Sequence, residues 1–273
     1  MKVLLLGARG MLGHDLKQEL LNYELFAFDR DDLDITNKGK LKEIIYKISP
    51  AITINCAVYR DVDGCEINKK FAFNVNGHAV GNLAEICNKT NSSLVHISSD
   101  YVFYGNSRTG YMENSKPNPI NTYGKSKLLG ETLLKKGTKK YFLIRTAWLY
   151  GEHGKNFVKT IVEKAKKEKT LHVVDDEYGS PTYTKDLAKK IISVMLTNPY
   201  GTYHLTNSGN CSRFEFAKEI LKLANRKNKV IPISSKDIRK LASRPKKSIL
   251  LNTKLTPLRH WKKALKAYFL DLK

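Results

Sequence analysis

Lys2-Val3-Leu4-Leu5-Leu6-Gly7-Ala8-Arg9-Gly10-Met11-Leu12-Gly13 begins as an almost unbroken apolar run and passes at once into glycines spaced three apart. So short a run fits a strand buried on both faces. Past the turn, Leu12, Leu16, Leu20 and Leu21 recur with helical period. Strand, glycine turn and helix in that order let backbone amides approach a pyrophosphate, and the helix amino terminus adds its partial positive charge. The expected ligand is a dinucleotide, held at Gly7 and Gly10; the plain alternative is a tight structural turn.

A second strand is expected from Glu24 to Phe28, ending at Asp29-Arg30. An acidic side chain there would accept hydrogen bonds from the adenosine ribose, and an arginine beside it could pair with a 2'-phosphate. With both present, NADH and NADPH stay open, with a lean to NADPH through Arg30. The plain reading of Arg30 is an exposed surface arginine.

Working outward, strand and helix signals alternate: a helix from Lys40 to Ile48 stopped by Pro50, a strand at Ala51–Asn55, a helical stretch over 66–89 interrupted near Gly77, and a strand at Ser92–Ile97. This alternation argues for an α/β chain with a Rossmann-like, doubly wound parallel sheet. Residues 104–121, polar with Gly and Pro, read as an exposed loop and a candidate lid. No linker or internal repeat separates independent units, so a smaller carboxyl-terminal substrate domain should be interleaved with the first. The expected division is a dinucleotide-binding domain over 1–151, also receiving 176–206, with 152–273 mostly substrate-binding.

A second motif lies at Tyr123-Gly124-Lys125-Ser126-Lys127. On a helix Tyr123 and Lys127 share a face, the spacing of a proton-transfer pair. A phenol titrating near about 10 is a poor acid–base catalyst at neutral pH, and a neighbouring ammonium would lower that value. Ser98-Ser99-Asp100 would put a hydroxyl at the carboxyl end of a strand, where open parallel sheets build their sites. Alone, Tyr-x-x-x-Lys is usually a solvated helix face; the amino-terminal motif gives it context.

Composition sets the bounds. The 273 residues can bury a large core. There is no apolar run of about 18 residues and no basic, apolar leader, so neither a membrane partner nor secretion is expected and the default address is cytoplasmic. The four cysteines, Cys56, Cys65, Cys87 and Cys211, show no CxxC spacing and read as buried free thiols. Of the net charge of +22, the segment from Arg213 onward carries +14, with 18 Lys/Arg against 4 Asp/Glu. Without a helix-turn-helix, a zinc knuckle or interleaved aromatics, this reads as a solvated basic surface rather than a nucleic-acid interface.

Taken whole, the chain resembles an extended short-chain dehydrogenase/reductase, and within that group the dTDP-4-dehydrorhamnose reductase family. The resemblance runs through the glycine turn, Asp34-Ile35-Thr36, Asn55-Cys56-Ala57-Val58-Tyr59, Ser99-Asp100-Tyr101-Val102-Phe103 and Tyr123/Lys127 with Gly130-Glu131. It continues in Arg145-Thr146-Ala147-Trp148, Asn156-Phe157-Val158, Gly179-Ser180-Pro181-Thr182-Tyr183 and Arg244-Pro245. It implies NADPH- or NADH-dependent reduction of the C4 ketone of a nucleotide-linked 6-deoxy-4-ketosugar, dTDP-4-dehydro-L-rhamnose foremost. Tyr123 would then donate the proton, Lys127 would hold the nicotinamide ribose and tune Tyr123, and Ser99, in place of the family's usual threonine, would bond the same oxygen. Asp100, Tyr101 and Trp148 would line the sugar site; Asn156 and Arg244 would meet the diphosphate.

On the cofactor side the resemblance brings Gly10, Met11 and Leu12 to the pyrophosphate, Asp29 to the ribose, Asp34 and Ile35 to the adenine, and Ala57, Val58 and Tyr59 along the dinucleotide. Arg9 and Arg60 depart from the family's usual residues and blur cofactor preference. The acidic residues of a bridging metal do not align, so no metal is expected; a homodimer stays open. Two other classes remain, a nucleotide-sugar epimerase or dehydratase and a nonenzymatic NADP-binding regulatory subunit.

Overall fold

A parallel sheet whose central strands are buried on both faces needs a helix layer on each side, and the chain supplies them in alternation. In the computed structural model, which describes residues 1–272, the order is β1 (Lys2–Leu6), α1 (Met11–Glu19), β2 (Glu24–Phe28), α2 (Lys38–Ile48), β3 (Ile52–Asn55), α3 (Val62–Ile67), α4 (Lys69–Phe73), α5 (Ala79–Lys89), β4 (Ser93–Ser99), α6 (Thr122–Gly137) and β5 (Tyr141–Thr146). Then come β6 (Leu149–Tyr150), α7 (Phe157–Lys167), β7 (Thr170–Val174), β8 (Tyr178–Gly179), β9 (Thr182–Tyr183), α8 (Thr184–Thr197) and β10 (Gly201–His204). The last part holds β11 (Asn207–Ser208), β12 (Cys211–Ser212), α9 (Arg213–Leu223), β13 (Lys229–Ile233), β14 (Leu258–His260) and α10 (Trp261–Asp271).

The main sheet has the order β2-β1-β3-β4-β5-β10, parallel throughout. Winding reverses between β1 and β3, and the crevice at that switch point is where such sheets take ligands. One face is covered by Leu12 and Leu16 of α1 and Leu20 at its C-cap, with Leu187, Ile191 and Val194 of α8. The other packs Leu41 and Ile45 of α2, Val80 and Leu83 of α5, and Leu134 of α6. The interruption expected near Gly77 is a π-helical turn at Asn74–His78.

A separate apolar cluster joins Val158 and Ile161 of α7, Phe216 and Ile220 of α9, and Trp261, Leu265 and Tyr268 of α10, beside the parallel β7–β13 pair. The chain leaves this layer to lay α8 and β10 against the main sheet, then returns. No helix among the described residues is long and apolar enough to cross a membrane. All four cysteines are free thiols.

Residues 104–121 form the expected loop, and Tyr111 anchors it. Tyr111 stacks on Phe103 at 4.3 Å, and its phenol oxygen accepts the amides of Gly105 and Asn106. Its own backbone exchanges hydrogen bonds with Ile249 and Leu251. The loop's backbone groups are thus satisfied in part by a segment more than a hundred residues away.

Candidate active site

The nucleotide crevice follows from close approach. Gly7 sits at φ +78°, where a side chain would be strained, and a Cβ there would lie 2.7 Å from the Ala57 nitrogen. A Cβ on Gly13 would lie 2.3 Å from the Gly7 carbonyl oxygen, so the two residues bring α1 down onto the turn. α1 has no side-chain cap, which leaves the first amides of the helix for a ligand. The resulting cleft, about 630 Å³, is lined by Gly7, Gly10, Met11, Leu12, Asp29, Arg30, Asp34, Ile35, Ala57, Val58 and Tyr59. Every residue expected on the cofactor side is thus gathered in one place.

Asp29 is fixed at the end of β2 by accepting the amides of Arg9 at 2.7 Å and Arg30 at 2.6 Å. The side chain of Arg9 pairs with Asp31 and Asp32, and that of Arg30 with Asp34 at 3.6 Å while lying over Phe71. These pairs are exposed and weak enough for a phosphate to compete. The loop after β3 is tied down by Asn76, which accepts the Tyr59 amide, donates to the Tyr59 carbonyl and reaches Ser126 of α6.

At the other end of the same cleft stand Ser99, Tyr123 and Lys127, with Asp100, Thr146 and Trp148. α6 starts at Thr122 because Asn121 caps it, accepting the Gly124 amide at 2.8 Å. Among the protein's own groups, Lys127 is not one of the leading influences on Tyr123. Burial pushes the phenol well above its ordinary value; Ser99 opposes this through a hydrogen bond, while Asp100 and Tyr101 add to it. Lys127, itself buried, turns its Nζ to the Ile97 carbonyl at 2.6 Å. Burial brings its pKa down to about 8, against the opposing pull of Glu131 and Cys56.

On the sugar side some expectations are corrected. Asn156 spends its amide as the cap of α7, accepting from Lys159 and donating to the Gly151 carbonyl, and does not wall the cleft. Arg244 is held by both carboxylate oxygens of Asp63, at 2.9 and 2.8 Å, and does not line the cleft. Asp100 faces the cleft but is 2% exposed, with its carboxylate accepting the hydroxyls of Ser99 and Ser248; its place is behind Ser99. Tyr101 packs edge-on against Tyr123 at 5.6 Å between centroids, outside the cleft wall.

Trp148 does line the cleft, at a backbone φ of +45°. Arg213 lays its guanidinium 3.4 Å from the indole centroid, and a Cβ on Gly179 would meet the indole at 2.4 Å. Such an outlier in a bulky side chain persists only where its surroundings fix it.

The family model described as "RmlD substrate binding domain" matches residues 1–273. A dTDP-4-dehydrorhamnose reductase from Aggregatibacter actinomycetemcomitans is 38% identical over 97% of this chain and 97% of its own length. A dTDP-4-keto-6-deoxy-D-glucose reductase from Streptomyces niveus is 37% identical over 97% and 96%. The crystal structure of a dTDP-4-dehydrorhamnose reductase from Bacillus anthracis in complex with NADP superposes with a TM-score of 0.97 at 40% identity, covering 99% of each chain.

The chain belongs to the dTDP-4-dehydrorhamnose reductase family. A UDP-glucose 4-epimerase from Thermus thermophilus, at 19% identity and a TM-score of 0.83, shares the fold alone. Sequence reasoning assigned no site role to Thr146, which lines the cleft, or to Asn76, Ser248 and Arg213, which hold Tyr59, Asp100 and Trp148. Thr146 carried a usable signal, as the hydroxyl residue following Arg145 at the carboxyl end of β5. Its Oγ1 is buried with no hydrogen-bond partner in the cleft wall, an orphan that a bound ligand's amide or carbonyl would satisfy. Arg213 and Ser248 had no sequence signal, since their partners lie 65 and 148 positions away.

Proposed function

We propose that this oxidoreductase reduces the C4 ketone of a dTDP-linked 6-deoxy-4-ketosugar, dTDP-4-dehydro-L-rhamnose foremost, using NADPH or NADH with a lean to NADPH. The observation that carries the reading is the convergence of Ser99, Tyr123 and Lys127 at one end of the cleft whose other end is the glycine turn. The uncapped α1 amides, the fixed Asp29 carboxylate and the orphan Thr146 hydroxyl fit a nicotinamide dinucleotide. When bound, the reduced nicotinamide supplies the hydride.

The protein's own residues handle the oxygen. A phenol held above its ordinary pKa by burial stays protonated at neutral pH, so Tyr123 serves as the acid that protonates the developing alkoxide. Ser99 gives up its bond to Asp100 to donate to that oxygen as charge builds. Lys127, one turn on, supplies the donor for a ribose hydroxyl and a proton source behind Tyr123. Trp148, stiffened by Arg213, packs the sugar side. A cytoplasmic address belongs to the same reading, as the place where nucleotide sugars and reduced dinucleotides are held.

Steady-state oxidation of NADPH and NADH with dTDP-4-keto-6-deoxy-L-sugars tests it. Intact protein should turn over, and Tyr123→Phe should lose about 10²- to 10⁴-fold in kcat while still binding cofactor. Cofactor binding without turnover on any 4-ketosugar would favour a regulatory subunit.

A further inference from the structure

His96 lies within β4 with no solvent exposure, between Asn55 of β3 and Lys127 of α6, which are also buried. The three side chains form a row. Asn55 Nδ2 is 3.2 Å from His96 Nδ1, and His96 Nε2 is 3.4 Å from Lys127 Nζ. Its polarity is set at the far end, where Asn55 Oδ1 accepts the Ala57 amide at 3.1 Å. The asparagine therefore turns its nitrogen, which can only donate, toward the ring.

His96 Nδ1 must then accept, and the ring proton stands on Nε2, aimed at the lysine. An amine receives that proton on its lone pair while donating to the Ile97 carbonyl. An ammonium has no lone pair and meets it donor to donor. Reversing the tautomer sets Nδ1–H against the Asn55 donor, and turning the Asn55 amide over leaves the Ala57 N–H without a partner. Only the neutral lysine satisfies every group in the row.

We propose that His96, oriented by Asn55, is a positioning residue for the reduction: its Nε2–H is directed at Lys127 and sets which protonation state of that lysine the site accepts. The kinetic consequence rests on the reductase reading; the hydrogen-bond logic does not. Other groups face Lys127 as well. Glu131 one turn further along α6 and Cys56 beyond β3 both favour the ammonium, Tyr123 precedes it by one turn, and burial outweighs them, bringing the lysine down to about 8. The row thus leaves the lysine able to change charge within reach of neutral pH, as a proton reservoir behind Tyr123 should.

The experiment is a titration of the lysine Nζ by ¹⁵N NMR in the cofactor-free protein, for wild type, His96→Gln and Asn55→Ala. Gln can face the lysine with a carbonyl oxygen, and Asn55→Ala frees the imidazole to place its proton on Nδ1. Both variants should raise the Lys127 pKa by about one unit, the worth of one buried hydrogen-bond conflict relieved. The alkaline limb of kcat should move upward with it, because the ammonium is the form that supports Tyr123. A Lys127 titration that stays put in both folded variants, whatever happens to the absolute rate, would overturn the proposal. The titration needs neither cofactor nor substrate, so its failure is separable from failure of the reductase reading.

Discussion

Ser248 donates its hydroxyl hydrogen to Asp100 across 148 positions of sequence, and the same carboxylate accepts the Ser99 hydroxyl at 2.9 Å. Burial pushes this carboxyl up to about 6 from its ordinary 3.8, with the two serines pulling the other way. The folded chain therefore holds an extra proton between those values, and stability gains as pH falls through that window. A shift of about two units corresponds to about 3 kcal/mol. The stability of wild type relative to Asp100→Asn should swing toward wild type by about 2–3 kcal/mol between pH 7.5 and pH 4, read from urea midpoints at each pH. A gap that does not change with pH would show the carboxyl to be unperturbed.

Glu131 and Arg145 form a fully buried pair, with Arg145 Nε and Nη2 at 2.9 and 2.6 Å from the two carboxylate oxygens and Ser98 donating to one of them. Arg145→Met strands a buried carboxylate and should cost about 3–5 kcal/mol in chemical denaturation. The double variant with Glu131→Gln should lose clearly less than the two single losses added together, because it leaves no uncompensated charge.

Arg30 is exposed and paired only with Asp34 and the Phe71 face. If its guanidinium moves to a 2'-phosphate, Arg30→Ala raises the KM for NADPH about tenfold and leaves that for NADH within about twofold, the scale of one charge-assisted bond. Equal effects on both cofactors would assign the arginine to the surface.

Gly179 faces the Trp148 indole with no room for a methyl group, and Arg213 bars retreat on a ring face. Gly179→Ala should cost about 1–3 kcal/mol of stability and raise the sugar KM, while the dissociation constant for the dinucleotide stays unchanged. Tryptophan fluorescence of the free protein should change with it, reporting the displaced ring.

The parallel sheet and its nucleotide crevice were legible because their information is local: an apolar run, a glycine turn and a helical period adjoin within 20 residues, and Asp29 follows at the end of the next strand. Tyr123 and Lys127 were legible for the same reason, through the helix repeat. The electrostatics were not. Whether Lys127 acts on Tyr123 or on the Ile97 carbonyl depends on burial and on β4, which spacing does not encode. The diphosphate roles of Asn156 and Arg244 came from the family resemblance, but an amide and a guanidinium also suit a helix cap and a carboxylate, and Asp63 lies 181 positions from Arg244. The 104–121 stretch was legible as a loop from its polarity, but not its anchoring at Tyr111, which polarity does not encode.

The carboxyl-terminal stretch is tied to the first half of the chain by buried or half-buried pairs: Asp63 with Arg244, Asp100 with Ser248, Glu113 with Thr253. On the ribosome, the strands that flank the dinucleotide crevice emerge first, whereas these three ties wait until residues 244–253 have been translated. A nascent or carboxyl-terminally clipped chain should therefore keep the crevice strands while leaving Asp63, Asp100 and Glu113 without these partners.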